Sequence, residues 1–327
     1  MFNLFRRPRS LGLDLGSHSL KWALLDQRRK EVIQSGASVL FPERSSLPQV
    51  LEWHQWESRV RQALLEIPEA NSVYTVVQGR STTYGYLEFP ELPEDELKVA
   101  VQAEAQQLIP FPADSIQFSY TKVPPLEPGP GAGVFFAAAV LGEVLRLRQV
   151  LERCGRAPNR VEIPPLALAR EFQLNHSPPP GMFCALLHIG FSLTHWVVVR
   201  EGHPYYARDF PFGTGDLVRA WQTEGSWNDT EDSLLSADFS SPRLQAPITR
   251  LLQELKRTLA HCTEALQSTT LPPLLDVYMS GGGASPRLAD LLSEKLRQRV
   301  LMDSWRHLKC SQEMASLYKL AAGLAVQ

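Results

Sequence analysis

The sequence predicts a mixed α/β protein of two lobes, and two similar hairpins are the main reason. Residues 11–25 read as an apolar strand, a Gly-Ser turn and a second apolar strand. Residues 184–199 repeat this order in the second half of the chain. A glycine cluster, Ser280–Ala284, follows a short strand (Leu275–Met279) and precedes a helix that begins at Pro286. Strands and helices alternate elsewhere, as in an α/β fold.

Length and composition fit an ordinary globular protein. The chain has 327 residues, of which 44% are apolar and 21% charged, which is enough for two domains. Its 33 basic and 35 acidic side chains give a net charge of −2, which argues against a nucleic-acid partner. The longest apolar run, Val134–Leu141, is far shorter than the roughly 20 residues of a membrane span. Four scattered cysteines argue against a zinc site or a disulfide framework and favour a reducing, cytoplasmic compartment.

The first hairpin has the residues that a phosphate-binding turn needs. Gly16 lets the backbone approach an anion without a Cβ in the way. The turn N–H groups and the hydroxyls of Ser17 and Ser19 are candidate donors to phosphate oxygens. Asp14, at the strand end, is a candidate for holding the water shell of a magnesium ion. The alternative is a buried hairpin with an ordinary glycine turn.

Two phosphate-type hairpins followed by strand, Gly-Gly-Gly and helix form an order typical of the actin-like ATPases. In those proteins the nucleotide lies between two related lobes, and the last glycine turn passes under the adenosine. We therefore expect the turns at Gly16 and Gly190 to face each other across a nucleotide-sized cleft. The candidate nucleotide-binding residues of the second half are Gly190, Ser192, Thr194, Gly213, Gly281, Gly282 and Gly283.

The helix that begins at Pro93 is the most regular in the first half. Leu97, Val101, Ala105 and Leu108 recur at helical spacing and predict one buried face. Further strands are predicted at Glu31–Val39, Ser72–Gly79, Tyr84–Phe89, Ser115–Val123, Val134–Leu141, Arg160–Ile163 and His203–Phe210. Further helices are predicted near Leu47–Ile67, Arg243–Ser268, Pro286–Arg297 and Met314–Val326.

These motifs resemble PilM, the actin-like family of type IV pilus assembly, which is similar to the division protein FtsA. The segment Glu104–Pro112, preceded by Leu92–Glu96, looks more like PilM than like any sugar kinase. The other matching segments are Gly12–Lys21, Pro164–Arg170, Ser280–Ala284 and the closing helix Tyr318–Ala325. The resemblance covers nearly the whole chain.

The resemblance implies two actin-like lobes, residues 1–177 and 178–327, with an inserted subdomain at about 81–141 in the first. It implies that a groove of this subdomain, against the main first subdomain, binds the cytoplasmic N-terminal peptide of a PilN-like bitopic membrane protein. It further implies contact with other pilus platform proteins and a cytoplasmic protein at the inner membrane, bound there indirectly. The resemblance implies ATP and magnesium as cofactors. Lys21 is then a further cofactor-binding residue, and Asp14 is the residue expected to hold magnesium.

The chain also departs from the family pattern. His188 stands where the second hairpin of the family begins with Asp-Ile-Gly, and a neutral imidazole cannot replace a carboxylate beside magnesium. The stretch Thr230–Leu235 lacks the lysine of the family's ribose-side helix. We therefore expect a scaffold with a bound or vestigial ATP site and no efficient hydrolysis.

Two alternatives stay open from the sequence. A nucleotide-switched ATPase of the same platform would need Asp14 or Asp209 to replace the missing carboxylate. A GspL-like part of a type II secretion platform would normally continue into a membrane span. The basic start, Met1–Arg9, fits either a disordered tail or a segment that touches anionic lipid.

Overall fold

Two five-stranded sheets and one three-stranded sheet organise the chain in a computed structural model. The structure describes residues 8–41, 53–221, 238–266, 275–305 and 316–326. The strands are β1 (Arg9–Leu15), β2 (Ser19–Asp26), β3 (Glu31–Val39), β4 (Ser72–Val76), β5 (Thr82–Phe89), β6 (Ile116–Val123), β7 (Ala132–Val140), β8 (Arg160–Glu162), β9 (Cys184–Ile189), β10 (Thr194–Arg200), β11 (His203–Phe210), β12 (Val277–Ser280) and β13 (Val300–Met302). The helices are α1 (Trp53–Leu65), α2 (Glu94–Leu108), α3 (Leu141–Arg153), α4 (Pro164–Asn175), α5 (Thr214–Trp221), α6 (Pro242–Ala265), α7 (Pro286–Leu296) and α8 (Lys319–Ala325).

The two larger sheets share one topology. The first has the order β3-β2-β1-β4-β8, and the second has the order β11-β10-β9-β12-β13. In each, three consecutive antiparallel strands form one side, and two strands parallel to the middle strand complete the other. The two halves of the chain therefore have the same sheet topology, although their sequences have little in common beyond the hairpins.

The hairpins form because buried apolar strands meet at short glycine turns. In the first, Leu15 pairs with Leu20, and the Gly16 N–H donates to the Ser19 carbonyl at 3.1 Å. In the second, the Gly190 N–H donates to the Leu193 carbonyl at 2.9 Å. β1 and β9 are buried along almost their whole length, so both hairpins form the centre of their sheets.

The insert, residues 81–141, has its own small core. Its sheet has the order β5-β7-β6, and α2 packs on one face of it. Leu97, Val101 and Ala105 are buried as predicted. Leu108 was expected on this buried face, but it is 56% exposed and Ile109 is buried instead. Since Pro110 disfavours a helical residue before it, Ile109 adopts an extended conformation that turns its side chain towards the sheet.

The closing helix α8 lies close to the backbone of its neighbours. A Cβ at Gly323 would stand 1.9 Å from the carbonyl oxygen of Ala167 in α4. A Cβ at Gly12 would stand 1.9 Å from the carbonyl oxygen of Ala321. Glycine is therefore required at both crossings, because any side chain would separate α8 from α4 and β1.

The described chain divides into two compact units. One contains residues 1–76, 145–176 and 304–327, and the other contains residues 77–144 and 177–303. The first sheet and α8 belong to the first unit, whereas the second sheet and the insert belong to the second. The lobe boundaries 1–177 and 178–327, and the cleft expected between Gly16 and Gly190, remain predictions.

Most predicted elements occur within a few residues of their expected bounds. Leu141 begins α3 instead of ending β7, and the last helix divides into a short 3₁₀ turn, Ser316–Tyr318, and α8. The predicted helix Leu47–Ile67 is described from Trp53, where α1 begins. Residues 1–7, Leu47–Leu51, Thr230–Leu235, Cys310 and Met314–Ala315 lie outside the described residues.

Candidate functional site

The first hairpin brings Asp14 and Lys21 together as a buried ion pair. The two residues are opposite each other on β1 and β2, and Lys21 Nζ lies 3.4 Å from Asp14 Oδ2. Their side chains are only 9% (Lys21) and 4% (Asp14) exposed. Gly16, Ser17 and Ser19 lie in the turn and are partly exposed. Lys21 thus places a cation beside Asp14, the carboxylate that the sequence predicts to hold magnesium.

His188 is a buried residue at the end of β9. Its side chain has Nδ1 2.9 Å from Ser280 Oγ, on the neighbouring strand β12. The residue is 2% exposed. This hydrogen bond ties the end of β9 to the strand that leads into the glycine cluster.

The turn of the second hairpin uses several of its polar groups for its own structure. Thr194 Oγ1 donates to the Phe212 carbonyl at 2.7 Å and is fully buried. The Gly190 N–H is bonded within the turn. Ser192 is exposed at the turn. Of these candidate phosphate ligands, Thr194 therefore has a clear structural role.

Three of the candidate glycines pack so closely against residues 189–191 that there is no room for a Cβ. A Cβ at Gly213 would stand 2.2 Å from the Phe191 carbonyl oxygen. A Cβ at Gly281 would stand 2.2 Å from the Ile189 carbonyl oxygen, and Gly281 also has a φ of +94°. A Cβ at Gly283 would stand 2.8 Å from the Ile189 side chain. These glycines let three chain segments meet at the second hairpin.

The described residues do not suit a protein-bound magnesium ion. Asp14 is already neutralised by Lys21, and nowhere in the described ranges do three or more histidine, cysteine or carboxylate side chains converge as a metal site. For a phosphate, the turns offer the partly exposed Ser17 and Ser19, the exposed Ser192 and the half-buried Gly282. The assignment of these residues to a nucleotide remains a prediction.

A buried polar network in the second unit was not predicted from the sequence. His195 Nδ1 lies 2.7 Å from Asp209 Oδ1, and His195 Nε2 lies 3.1 Å from Gln78 Oε1. The imidazole of His188 stacks beside His195 at a centroid distance of 6.0 Å. Asp209, considered above as a substitute catalytic carboxylate, is thus engaged by a histidine. The strand register could have predicted part of this network, because His195 is opposite both His188 and Asp209.

The insert is fastened to the second sheet by an arginine and two tyrosines. Arg200 donates to the carbonyls of Leu126 at 2.9 Å and Pro125 at 2.6 Å. The Tyr205 hydroxyl donates to the Pro124 carbonyl at 2.9 Å, and the Tyr205 ring lies 5.2 Å from that of Tyr86. The proline-rich segment that follows β6 is therefore held by side chains of β10 and β11.

The opposite side of the insert ends in an exposed edge strand. β6 is the last strand of the order β5-β7-β6, so one side of its backbone has no neighbouring strand within the described chain. Gln117, Ser119 and Thr121 are exposed along it, and residues 116–121 include no charged residue and no proline. Such an edge is open to pairing with another extended chain.

The repeated sheet topology and the glycine turns define a protein with the actin-like ATPase fold. The chain belongs to the family described as type IV pilus assembly protein PilM, whose model matches residues 12–327. The sequence matches no curated protein. No helix in the described ranges is both long and apolar enough to cross a bilayer.

Two solved structures illustrate the likeness. A PilM-PilN type IV pilus biogenesis complex is 22% identical in sequence, with 98% of both chains covered and a TM-score of 0.77. The ethanolamine utilization protein EutJ from Carboxydothermus hydrogenoformans is 16% identical, with 99% of this chain and 91% of that chain covered and a TM-score of 0.54. At these identities the likeness concerns the fold.

Proposed function

We propose that this pilus assembly protein is a cytoplasmic scaffold that docks the N-terminal peptide of a PilN-like membrane protein through its insert. The presence of PilN in the similar PilM-PilN complex supports this choice of partner. Recruitment by that peptide would hold the chain at the cytoplasmic face of the inner membrane, beside other platform proteins. The match to the PilM family favours this role over a GspL-like role in type II secretion.

The observation that carries the proposal is the exposed edge of β6. An extended peptide can add a strand there by main-chain hydrogen bonding, and an aliphatic anchor can use the apolar surface that Phe118 and Tyr120 leave partly exposed. Such a site has few charges, so we expect binding in the micromolar range, about −8 kcal/mol, with little dependence on salt.

The proposal also covers the turns at Gly16 and Gly190, which resemble nucleotide-binding turns. The pairing of Lys21 with Asp14, and of His188 with Ser280, supports a bound or vestigial nucleotide without efficient turnover. A nucleotide-switched ATPase is the weaker candidate, because both carboxylates that could replace the missing one, Asp14 and Asp209, already have protein partners.

Calorimetry with a synthetic peptide of the PilN-like cytoplasmic N-terminus tests the proposal. Wild-type protein should bind the peptide, and Ser119→Arg should weaken binding, because a long cation on the exposed face of β6 hinders an incoming strand. Gln102→Arg adds the same charge to the exposed side of α2 and serves as the matched control. If both variants bind like wild type, the peptide does not use β6.

A further inference from the structure

A basic turn connects β2 to β3 at one end of the first sheet. Its residues Arg28, Arg29 and Lys30 are all exposed. The buried carboxylate of Asp26 fixes the turn, since it accepts from the Arg28 N–H at 3.0 Å and from the Arg29 N–H at 3.2 Å. The three basic side chains themselves have no ion pair or hydrogen bond among the described residues. They are therefore available to a partner outside the chain.

The start of β1 adds a fourth cation at the same end of the sheet. The Gln27 N–H donates to the Pro8 carbonyl at 3.1 Å, so the chain enters β1 directly beside the turn. Arg9, the first residue of β1, is exposed, and its side chain also has no partner within the described ranges. The four exposed cations form what we call the basic patch: Arg9, Arg28, Arg29 and Lys30.

Few exposed acidic side chains offset the basic patch. Glu31, the first residue of β3, is half-buried, and Glu69 is exposed in the loop before β4. That loop is close to the patch, because Asn71 Oδ1 accepts from the Arg9 N–H at 2.9 Å. The surface here thus has more positive than negative groups, although the whole chain has a net charge of −2. In the sequence, Arg6 and Arg7 precede β1 and add to this excess.

Apolar residues beside the basic ones favour a lipid surface as the partner. Phe2, Leu4 and Phe5 precede the arginines in the sequence. Ile33, at a bulge of the edge strand β3, is 46% exposed and follows Lys30 by three residues. Basic residues mixed with aromatic and aliphatic ones suit the boundary between lipid headgroups and acyl chains. A nucleic acid or an acidic protein would use the cations but not these apolar side chains.

We propose that the basic patch binds the surface of an anionic phospholipid bilayer, with the apolar residues that precede β1 buried in the headgroup region. Each arginine or lysine near such a surface strengthens binding by about 5-fold. The turn at Gly16 lies at the opposite end of β1, roughly 20 Å away for a seven-residue strand, so lipid contact leaves it accessible.

This inference rests on the proposed function for the location of the chain at the inner membrane, and it adds a contact that needs no peptide. A peptide tether and a weak lipid contact together bind more tightly than either alone, because the first contact raises the effective concentration for the second. The lipid contact also orients the first unit, since the end of its sheet that bears the patch must face the bilayer.

Co-sedimentation with vesicles of defined lipids tests the basic patch. The full chain is mixed, without any partner peptide, with vesicles of phosphatidylcholine alone or of phosphatidylcholine with phosphatidylglycerol. We expect binding to the anionic vesicles only. Raising the salt from about 50 mM to about 500 mM should weaken that binding by at least about 10-fold, because the exposed charges are then screened.

The variant Arg28→Gln/Arg29→Gln/Lys30→Gln removes three of the four cations. It should bind anionic vesicles about 100-fold more weakly than wild type, at about 5-fold for each charge. Since the three side chains are exposed and have no partner among the described residues, the melting temperature should stay at the wild-type value. A variant that binds the vesicles like wild type would overturn the proposal.

A matched control separates the patch from net charge. Lys98→Gln/Arg243→Gln/Lys256→Gln removes three exposed cations of the second unit and changes the net charge by the same amount. It should bind anionic vesicles within about 2-fold of wild type, because charges away from the contact are screened. If this control loses as much binding as the turn variant, net charge and not the basic patch is responsible, and the proposal fails.

The apolar part of the contact has its own test. Phe2→Ser/Phe5→Ser keeps every charge and should weaken binding to anionic vesicles by at least about 10-fold, because less apolar surface enters the headgroup region. Binding to a DNA duplex at the same salt, without binding to the vesicles, would assign the cations to a nucleic acid and overturn the lipid contact.

Peptide calorimetry separates this inference from the proposed function. The basic patch belongs to the first unit and β6 to the second, so the turn variant should bind the peptide of the PilN-like protein as wild type does. If wild type binds no peptide, the proposed function fails, while binding to vesicles still decides the lipid contact. If wild type binds the peptide but sediments equally with neutral and anionic vesicles, the lipid contact fails alone.

Discussion

Lys21 Nζ lies 3.4 Å from Asp14 Oδ2 in the first hairpin, and both side chains are almost fully buried. A protein cation thus stands beside the carboxylate that most suits magnesium. A divalent ion would have to displace the ammonium group, which would then lie buried without its counter-ion. Binding of magnesium at Asp14 would therefore carry the cost of that buried, unpaired ammonium group.

The first prediction concerns magnesium and Lys21. Millimolar magnesium chloride should leave the melting temperature of wild type unchanged, relative to sodium chloride at equal ionic strength. Lys21→Met should be destabilised by about 3–5 kcal/mol, because the buried Asp14 loses the cation beside it, and magnesium should restore part of that loss. Lys122→Met, which removes the half-exposed partner of Glu94, is the control and should not respond. Equal stabilisation of wild type by magnesium would contradict the ion-pair interpretation.

The second prediction concerns hydrolysis and His188. We expect little steady-state ATP hydrolysis by wild type, because an imidazole bonded to Ser280 stands where actin-like enzymes have a carboxylate. His188→Asp should increase binding of ATP with magnesium, measured by calorimetry, or turnover, measured by phosphate release. His203→Gln controls for the loss of a histidine from the same sheet. Robust magnesium-dependent turnover by wild type that His188→Ala abolishes would refute it.

The sequence was most informative where local rules decide the structure. Apolar runs that meet at Gly16 and Gly190 predicted both hairpins, and Pro93 and Pro110 predicted the bounds of α2 within one residue. Leu108 is the last residue of α2, but Ile109, which is extended before Pro110, takes the buried position that helical periodicity assigned to Leu108.

Local rules did not predict the contacts between segments that are distant in the chain. Gln78 meets His195 across 117 positions of the chain. Likewise, Arg200 donates to the carbonyl of Leu126, and both residues belong to the second unit. Neither segment has a periodic sequence pattern that predicts this contact. Register alone predicts pairs such as Asp14 with Lys21 once the turn is known.

The third prediction concerns a buried ion pair that fastens α8. Lys319 Nζ lies 2.7 Å from Glu171 Oε1, and neither side chain is more than 2% exposed. Lys319→Ala should lower the free energy of unfolding by about 3–5 kcal/mol in urea titrations, since Glu171 is left as a buried charge. The double variant Lys319→Met/Glu171→Gln should recover most of this loss. Lys295→Ala breaks an exposed pair with Glu294 and should cost less than about 1 kcal/mol.

If the double variant is as unstable as Lys319→Ala, uncompensated charge is not the cause. The cation also lies 5.4 Å from the centre of the Trp305 ring, so lost packing would then be the better explanation.

The fourth prediction compares two glycines that differ in the space around them. Gly323→Ala should destabilise the protein strongly, because its Cβ would lie 1.9 Å from the Ala167 carbonyl oxygen and would force α8 away from α4. Gly142→Ala, in α3, places a Cβ with no atom within 4 Å and should be neutral or stabilising by up to about 1 kcal/mol. Urea titration of both variants checks the difference. Equal effects would show that α8 can shift without cost.

The fifth prediction concerns the buried thiols of the second unit. Burial raises the pKa of Cys262 to about 12. Burial, with a smaller effect of the charge of Asp276, raises the pKa of Cys184 to about 11. The thiolate is the form that reacts with iodoacetamide, so at pH 8 only about one thiol in a thousand or fewer is reactive at either site.

Native protein should therefore be alkylated slowly at Cys184 and Cys262, and a rise from about pH 8 to about pH 9 should still leave both thiols overwhelmingly protonated. Cys154, which is half-buried, is the internal reference and should be modified first. Peptide mass spectrometry after timed alkylation separates the three sites, and urea should expose all of them together. Labelling of Cys262 in native protein as fast as Cys154 would show that α6 opens readily, because Cys262 lies on its buried face.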